Sequence, residues 1–595
     1  MISDPVEFEL FKNSIFSVAD EMALTIFRTT YSGVLKDNMD YSTAMFTADG
    51  SLVAQGLTLP AHLGSMPTAI AAMQRAFGSD INPGDILCLN DPFDGGMHLP
   101  DIFVFKPIFY EGKLLAYAGT VCHHTDVGGR VPGSNASDST EIYQEGLRIP
   151  PLKLFDRGKR NETLIALIER NVRVPIKVMG DLRAQLAACH ISETSLIELA
   201  RHYGPDKVVS YMKELIDYSE RMTRGAIREL PDGVYDFLDY IDDDGVELGK
   251  PIPIKVKITK SGDQIKVDWT GSSPQVKGAI NNTLSFTKSA SYCAIRSILP
   301  NTIPNNEGVF RAIEVTAPPG TIANNVLPAA CAARGLTGFR MIDAMFGALA
   351  KMLPDKVFAC SDGGNTGISI GGYFAERKPF IYVDFTCAAW GGRPYADGLD
   401  GNSNIYANMA SQPIEVTESE HPIQIGCYAF ITDAMGPGKF RGGAPFRRDY
   451  RFLADEGILQ VRSDRRERRP YGLYGGGPGK PSMNYLNPDG ENKLLPSKLT
   501  ITIRRGDVLR HEVAGAGGWG DPLEREMQMV LRDVRNGFVS VAGARQDYGV
   551  IVLEKPWRVD EAATAALRCE IRSSRNWKMV PVVSWEPVPA MPAAE

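Results

Sequence analysis

The chain of 595 residues lacks the features that mark a disulfide-bonded, secreted or membrane protein. Its nine cysteines are an odd number and contain no Cys-x-x-Cys pair, which argues against a disulfide framework or a cysteine zinc cluster. No stretch approaches the ~18 uninterrupted apolar residues of a membrane span. The N-terminal segment does not show the charged-then-apolar pattern of a secretory signal. We therefore expect a cytoplasmic protein without a membrane segment.

A strong charge excess is also missing. The 64 basic and 71 acidic residues leave a formal net charge of −7, which is small for this length and argues against a nucleic-acid binder. One basic run, Arg465–Arg469, stands out. The acidic balance of the whole chain favours a solvated turn or an ion-paired face for this run, so we expect no nucleic-acid partner.

A phosphate-binding loop is absent as well. The run Gly475–Lys480 comes closest, but Tyr474 occupies the position of a required glycine and Pro481 replaces the Ser or Thr that would contact Mg²⁺. A second glycine-rich run, Gly515–Pro522, has no preceding βαβ pattern. We interpret both runs as tight turns or close-packed loops and expect no ATP site on this chain.

Hydrophobic patterning predicts an α+β fold. Apolar residues at three- and four-residue spacing predict a helix from a cap at Asp4 to about Thr30, and residues 160–230 are also predicted to be helical. Alternating apolar residues predict strands in the first part of the chain and from Ile252 onward. The N-terminal half, mixed helical and β, carries the candidate site, and the C-terminal half is β-rich.

The C-terminal part is predicted to end in a short helix at about 523–536. A proline-rich tail that starts near Pro581 is expected to be loosely held. The predicted division is residues 1–230 as a metal-site and helical domain, 231–510 as a β-rich domain, and 511–595 as a C-terminal segment with a helix and the tail.

The segment from 90 to 151 holds three of the eight histidines and the strongest chemical signal. Its pattern is His98-x-x-Asp101 followed by His123-x-x-Asp126. Imidazole and carboxylate groups from separate loops are the usual ligands of Zn²⁺, Mn²⁺ or Fe²⁺. We predict a mononuclear centre held by His98, Asp101 and His123, against the alternative of surface histidines with ordinary hydrogen bonds. His124 and Asp126 are either ligands or groups that orient His123.

Three further residues are candidates for contact with substrate. His62 precedes a predicted helix and is either a substrate contact or a structural histidine. Asp40 is either an acidic site group or a turn residue. Glu145 is either a base or the partner of Arg148.

Eight motifs spread over nearly the whole chain carry a family resemblance. They are Asp40–Phe46, Ala61–Met66, Asn90–Asp101, His123–Gly129, Gln144–Pro151, Gly438–Gly443, Ser463–Arg465 and Gly515–Pro522. Together they resemble the B-type subunit of the hydantoinase/oxoprolinase family, whose relatives include the large subunits of acetone and acetophenone carboxylases.

The resemblance implies a partner, an A-type subunit that holds the ATP site. That subunit would phosphorylate an amide or enolate oxygen of a small-molecule substrate, and the activated species would react on this chain. In the acetone carboxylase branch the corresponding subunit looks like a manganese protein, and its ligands map by spacing onto His98, Asp101 and His123.

The expected function is therefore that of a metal-bearing subunit in an ATP-dependent hetero-oligomeric hydrolase of a cyclic amide, of hydantoin, 5-oxoproline or lactam type. One divalent ion (Mn²⁺, Zn²⁺ or Fe²⁺) would activate water. Asp126, His124 or Glu145 would carry protons. The alternatives are a subunit of an ATP-dependent ketone carboxylase and a non-catalytic scaffold.

Overall fold

The computed structural model describes residues 4–62 and 64–575 and confirms the α+β class. Within these residues, no helix has both the length and the apolar character needed to cross a membrane. The first part of the chain contains α1 (Pro5–Thr29), α2 (Gly33–Lys36), β1 (Tyr41–Thr47), β2 (Leu52–Gln55), α3 (Met66–Phe77), β3 (Ile86–Leu89), β4 (Asp101–Tyr110), β5 (Lys113–His123), β6 (Leu152–Asp156), β7 (Lys159–Arg160), α4 (Glu162–Asn171), α5 (Pro175–Tyr203) and α6 (Pro205–Arg228).

The central element of this part is a seven-stranded antiparallel sheet in the order β2-β1-β5-β4-β3-β6-β7. Successive side chains of a strand point to opposite faces, so each strand serves two cores. Along β4, Ile102 and Val104 join a cluster with α1, α4, α5 and α6, whereas Phe103 and Phe105 join a cluster on the opposite face. The helical layer therefore covers only one face of the sheet.

The opposite face is covered by the middle of the chain. This part contains β8 (Gly233–Ile241), β9 (Ile252–Ser261), β10 (Gln264–Asp268), α7 (Leu284–Ile298), α8 (Glu307–Phe310), β11 (Ile313–Thr316) and α9 (Gly335–Met352). The four strands form a second sheet in the order β11-β10-β9-β8. The largest hydrophobic cluster joins this sheet, α7 and α9 to the first sheet, and so contains residues from both sides of the predicted boundary at 230. The division into domains stays a prediction.

The last part contains β12 (Thr366–Tyr373), β13 (Pro379–Thr386), β14 (Ala388–Ala389), β15 (Asp400–Asn402), α10 (Ile414–Glu420), β16 (Ile423–Phe430), β17 (Phe446–Phe452), β18 (Glu456–Arg462), β19 (Met483–Leu486), β20 (Lys493–Leu495), β21 (Lys498–Arg504), β22 (Val508–Glu512), α11 (Met527–Arg535), α12 (Val541–Tyr548), β23 (Val552–Glu554), β24 (Trp557–Val559) and α13 (Glu561–Ser574). Two of its sheets have the orders β13-β12-β18-β21 and β16-β17-β22-β19-β20.

The predicted helix at 523–536 is present as α11, but it is not the last helix of the chain. Helices α12 and α13 follow it. Helix α12 has only eight residues, and α13 buries a single side chain, Thr564, so neither produces a strong apolar stripe in the sequence. The proline-rich tail predicted near Pro581 lies outside the described residues.

The two glycine-rich runs pack against each other, which confirms their interpretation as close-packed loops. The amide of Gly518 donates to the carbonyl of Gly477 at 2.9 Å, and the amide of Gly515 donates to the carbonyl of Lys480 at 3.0 Å. A Cβ atom on Gly479 would lie 1.8 Å from the carbonyl oxygen of Gly515. Glycine is required there because the two backbones are in contact.

The basic run at 465–469 begins with a buried arginine. Arg465 is fully buried and pairs with Asp239 at 2.8 Å and with Asp343 at 2.7 Å. The ion-paired interpretation therefore holds for Arg465, while a solvated turn does not describe it. This ion pair network links β8, α9 and the loop after β18.

Candidate functional site

The alternation of side chains along the first sheet places two of the predicted residues, Asp101 and His123, on one face. Asp101 and His123 are paired directly across β4 and β5, and the His123 amide donates to the carbonyl of Asp40 at 3.0 Å. Asp101 shares its face with Phe103, and His123 shares its face with Val121, both on the side covered by the middle of the chain. The predicted meeting of the His98 loop with the end of the next strand is confirmed.

Asp101 is fully buried, and its carboxylate contacts the imidazole of His98 and the guanidinium of Arg334. Its Oδ2 lies 2.8 Å from His98 Nδ1, and the same oxygen accepts from Arg334 Nη2. Burial alone would raise the pKa of Asp101, but the interactions with His98 and Arg334 outweigh it and hold the pKa well below its usual range. Asp101 is therefore ionised.

Asp40 and His62 form a second group beside the first. His62 Nε2 lies 3.9 Å from Asp40 Oδ1, and His62 Nδ1 lies 2.9 Å from the hydroxyl of Ser42. Burial, followed by the nearby charge of Asp101, raises the pKa of Asp40 well above its usual value. Burial lowers the pKa of His62 to about 4. His62 is therefore uncharged at neutral pH, and burial favours the protonated form of Asp40.

One cavity of about 80 Å³ is lined by both groups, that is by His98, His123, Asp40 and His62. The rings of His98 and His123 lie 5.0 Å apart, centroid to centroid. Burial is the main cause that lowers the pKa of His98 to about 4 and the pKa of His123 well below its ordinary value. Both imidazoles are therefore neutral, which is the form that binds metal ions.

His124 and Asp126 do not reach this cavity. His124 follows β5 on the opposite face of the sheet, where its Nε2 lies 3.0 Å from Gln185 Oε1 on α5. Asp126 is buried and accepts from the amide and the guanidinium of Arg173, at 2.6 and 3.0 Å. The side chains of both residues thus lie away from the side chain of His123, although the two residues are close to it in the sequence.

Glu145 is also outside the cavity, and it does not pair with Arg148. Arg148 pairs with Asp91 instead. Glu145 Oε1 accepts from the amides of Cys331 and Ala332, at 2.7 and 2.8 Å. Burial raises the pKa of Glu145 to about 8, and the two amides offset this only in part. Glu145 therefore fixes the segment that precedes Arg334.

The opposite wall of the cavity comes from later parts of the chain. It includes Asn135, Phe286, Arg334, Phe385 and Arg462. The guanidinium of Arg334 lies 3.8 Å from the centroid of the Phe286 ring, and Phe385 contacts His123 edge to face at 5.6 Å. None of these five residues was predicted from the sequence to belong to the site. Isolated arginines and aromatics carry no spacing pattern, and only the motif that begins at Ser463 pointed near Arg462.

These residues have the chemistry of metal ligands, but their side chains do not form a ready-made binding site for an ion. Asp101 Oδ1 and His123 Nδ1 are buried atoms without a hydrogen-bond partner, as expected for donors that await a ligand. Arg334, however, contacts the other oxygen of Asp101. Within residues 4–62 and 64–575, no three His, Cys, Asp or Glu side chains are grouped so that they could hold an ion.

This fold and site define a class of protein. The model of the hydantoinase B/oxoprolinase family matches residues 4–522, so the chain belongs to that family. The beta chain of the caprolactamase of Pseudomonas jessenii is 34% identical over 95% of this chain and 99% of its own length. The B-type subunit of a putative D-/L-hydantoinase of Pseudomonas sp. (strain NS671) is 33% identical over 95% of this chain and 98% of its own length.

Two solved structures share the fold over nearly the whole chain. The ATP-dependent caprolactamase from Pseudomonas jessenii superposes with a TM-score of 0.88 at 31% identity, covering 96% of this chain and 100% of that one. A nucleotide-free acetone carboxylase also has a TM-score of 0.88, at 21% identity, covering 97% of this chain and 84% of that one. At this lower identity, the second likeness shows the fold alone.

Proposed function

We propose that this chain is the metal-bearing B-type subunit of an ATP-dependent hetero-oligomeric enzyme that hydrolyses a cyclic amide. An A-type partner would bind ATP and phosphorylate the amide oxygen, and ring opening would occur in the cavity of this chain. The observation that carries the proposal is the cavity lined by His98 and His123, with Asp101 behind His98. Relatives named as hydantoinase and caprolactamase subunits support the substrate class.

We assign the metal to His98, Asp101 and His123, as one Mn²⁺, Zn²⁺ or Fe²⁺ per chain. When bound, such an ion activates water and polarises an oxygen of the substrate. The chain itself would carry the proton at Asp40, where burial favours the protonated carboxyl beside neutral His62. We therefore transfer the proton-carrying role to these two residues, because Asp126, His124 and Glu145 do not line the cavity.

The test is turnover by the complex of this chain with its ATP-binding partner. Hydantoin, 5-oxoproline and caprolactam are offered with ATP in ¹⁸O-labelled water, and in parallel acetone and acetophenone are offered with ATP and ¹⁴C-bicarbonate. We expect ring opening with at least one labelled oxygen from water in the new carboxylate, no need for bicarbonate, and no ATP hydrolysis by this chain alone. Fixation of ¹⁴C would instead identify a carboxylase.

Metal content is measured on the same preparation by elemental analysis. We expect about one divalent ion per chain, and His123→Ala should remove it while the fold is kept. His421→Ala is the matched control, since His421 is also buried and neutral but does not line the cavity. Full metal occupancy in His123→Ala would remove His123 from the ligand set, and a metal-free, inactive complex would favour the scaffold alternative.

A further inference from the structure

Arg462 is a buried cation on the cavity wall that has no acidic partner among the described residues. It ends β18, and only 4% of its surface is exposed. Its Nη1 donates to the carbonyl of Asn135 at 3.2 Å and to the hydroxyl of Ser369 at 3.0 Å. Its Nη2 is buried and has no hydrogen-bond partner. Both N–H groups of Nη1 are therefore used, whereas those of Nη2 have no partner.

The absence of an acidic partner distinguishes Arg462 from the other buried arginines of the described chain. Each of them forms an ion pair with aspartate; they are Arg334, Arg340, Arg441, Arg448, Arg465 and Arg525. A buried charge is stable only when it is paired and hydrogen-bonded. Because Arg462 lacks a counter-charge, burial lowers its pKa to about 9, which still leaves the guanidinium charged at neutral pH. The missing partner is therefore expected to be a ligand.

The surroundings of Arg462 add to its positive field. Helix α9, which has 18 residues, begins at the cavity, and Ala332–Leu336 form part of the wall. No side chain caps the amides of its first turn. The positive end of the helix dipole favours an anion. Arg334 and Arg462 line the same cavity as His98 and His123, so the two guanidinium charges share it with the two imidazoles.

The close approach of Arg462 depends on a glycine. The guanidinium passes over Gly367 on β12, and a Cβ atom there would lie 2.5 Å from Nη2. The backbone of β12 thus leaves room for the guanidinium at the cavity. Arg334, by contrast, is already held by Asp101, which leaves Arg462 as the uncompensated charge on the wall.

We propose that Arg462, together with the N-terminus of α9, binds the phosphoryl group of the activated substrate. This inference rests on the proposed function, in which the substrate arrives as an O-phosphorylated amide. A guanidinium forms strong, charge-assisted hydrogen bonds with phosphoryl oxygens, and the unpartnered Nη2 can donate one of them. The phosphoryl group would lie at Arg462 while the acyl carbon faces His98 and His123. Arg462 is then a binding residue that orients the substrate.

The experiment measures binding of inorganic phosphate to the full-length chain by calorimetry. Sulfate and acetate are titrated in parallel, since sulfate shares the tetrahedral shape and acetate represents a substrate carboxylate. We expect phosphate and sulfate to bind more tightly than acetate. Arg462→Met should raise the dissociation constant for phosphate by at least about 10-fold, as expected for a lost charge-assisted hydrogen bond. Arg505→Met, at an exposed arginine that pairs with Asp455, is the matched control and should bind like the unmodified chain.

Arg462→Lys provides a second variant in case the methionine variant does not fold. It keeps the charge but loses the planar fork, so its phosphate affinity should fall between those of the unmodified chain and Arg462→Met. In the complex, Arg462→Lys should raise KM for the cyclic amide more than it lowers kcat. Equal phosphate affinity in the unmodified and Arg462 variants, or tighter binding of acetate than of phosphate, overturns the inference.

Failure of this inference can be told apart from failure of the proposed function. Ring opening by the complex together with unchanged phosphate affinity in the Arg462 variants would leave the function standing and remove the phosphoryl site. Phosphate binding that depends on Arg462, in a complex that opens none of the cyclic amides, would keep the site and remove the substrate class.

Discussion

Asp101→Asn tests whether the buried carboxylate serves Arg334, a metal ion, or both. The substitution keeps the volume of the side chain and removes its charge. Asp101 is fully buried and Arg334 is 7% exposed, so the variant leaves a buried guanidinium without its counter-charge. Breaking a buried ion pair in this way costs about 3–5 kcal/mol. The stacking of Arg334 on Phe286 at 3.8 Å is present in both proteins and so does not change this difference.

We therefore expect Asp101→Asn to lower the free energy of unfolding by about 3 kcal/mol in chelated protein. Arg334→Gln should cost a similar amount, because it leaves the carboxylate with His98 alone. The double variant should lose about 3 kcal/mol rather than the sum, which corresponds to a coupling energy of about 3 kcal/mol. The assay is urea unfolding followed by tryptophan fluorescence, with and without added Mn²⁺ or Zn²⁺.

Added metal separates the two roles of Asp101. An ion that binds only the folded state raises its stability, so metal should stabilise the unmodified chain and should not stabilise Asp101→Asn. Asp384→Asn is the control, because Asp384 forms a buried pair with Arg448 at 2.8 Å away from the cavity and should keep the metal response. A coupling energy below about 0.5 kcal/mol without metal would refute the ion pair. Equal stabilisation of Asp101→Asn by metal would refute the ligand assignment.

Two further predictions concern Glu145 and Gly479. Since the pKa of Glu145 is raised from 4.5 to about 8 in the folded state, its protonation favours folding at low pH, and this contribution is lost as the pH rises through 8. Glu145→Gln stays neutral and still accepts from both amides, so its melting temperature should exceed that of the unmodified chain increasingly from pH 5 to 8.5; parallel curves would contradict this. Gly479→Ala should destabilise the chain by about 3 kcal/mol or more, because the new Cβ would lie 1.8 Å from the Gly515 carbonyl oxygen. Gly490→Ala, where the nearest atom is 3.9 Å away, should melt like the unmodified chain, and equal melting of both variants would disprove the backbone contact.

The sequence by itself determined the features that depend on neighbouring residues. Helix α1 starts where Asp4 was expected to cap it, and its side chain accepts from the amides of Val6 and Glu7. The pairing of Asp101 with His123 also follows from local structure, because both lie on one hairpin that turns between Tyr110 and Lys113. Periodicity and turn residues act over a few positions and are visible in a single chain.

The alternation of side chains along a strand also predicts on which face His124 lies, although the predicted site did not take this into account. His124 follows His123 directly, and neighbouring residues of a strand point to opposite faces. It therefore lies against Gln185 on α5 and not in the cavity. Applied to the whole strand, the same rule would have separated His124 from the candidate ligands.

Only the tertiary structure determined which residues lie across the cavity from His98 and His123. Arg334 and Arg462 reach the cavity from α9 and β18, more than 200 residues along the chain from His98 and His123. No periodicity links positions so far apart, and a single arginine has the same local pattern on a surface as in a core. The structure alone shows that Arg334 is paired with Asp101 and that Arg462 is buried without a carboxylate. The charge of the site depends on this difference, because burial removes the water that would otherwise compensate an unpaired cation.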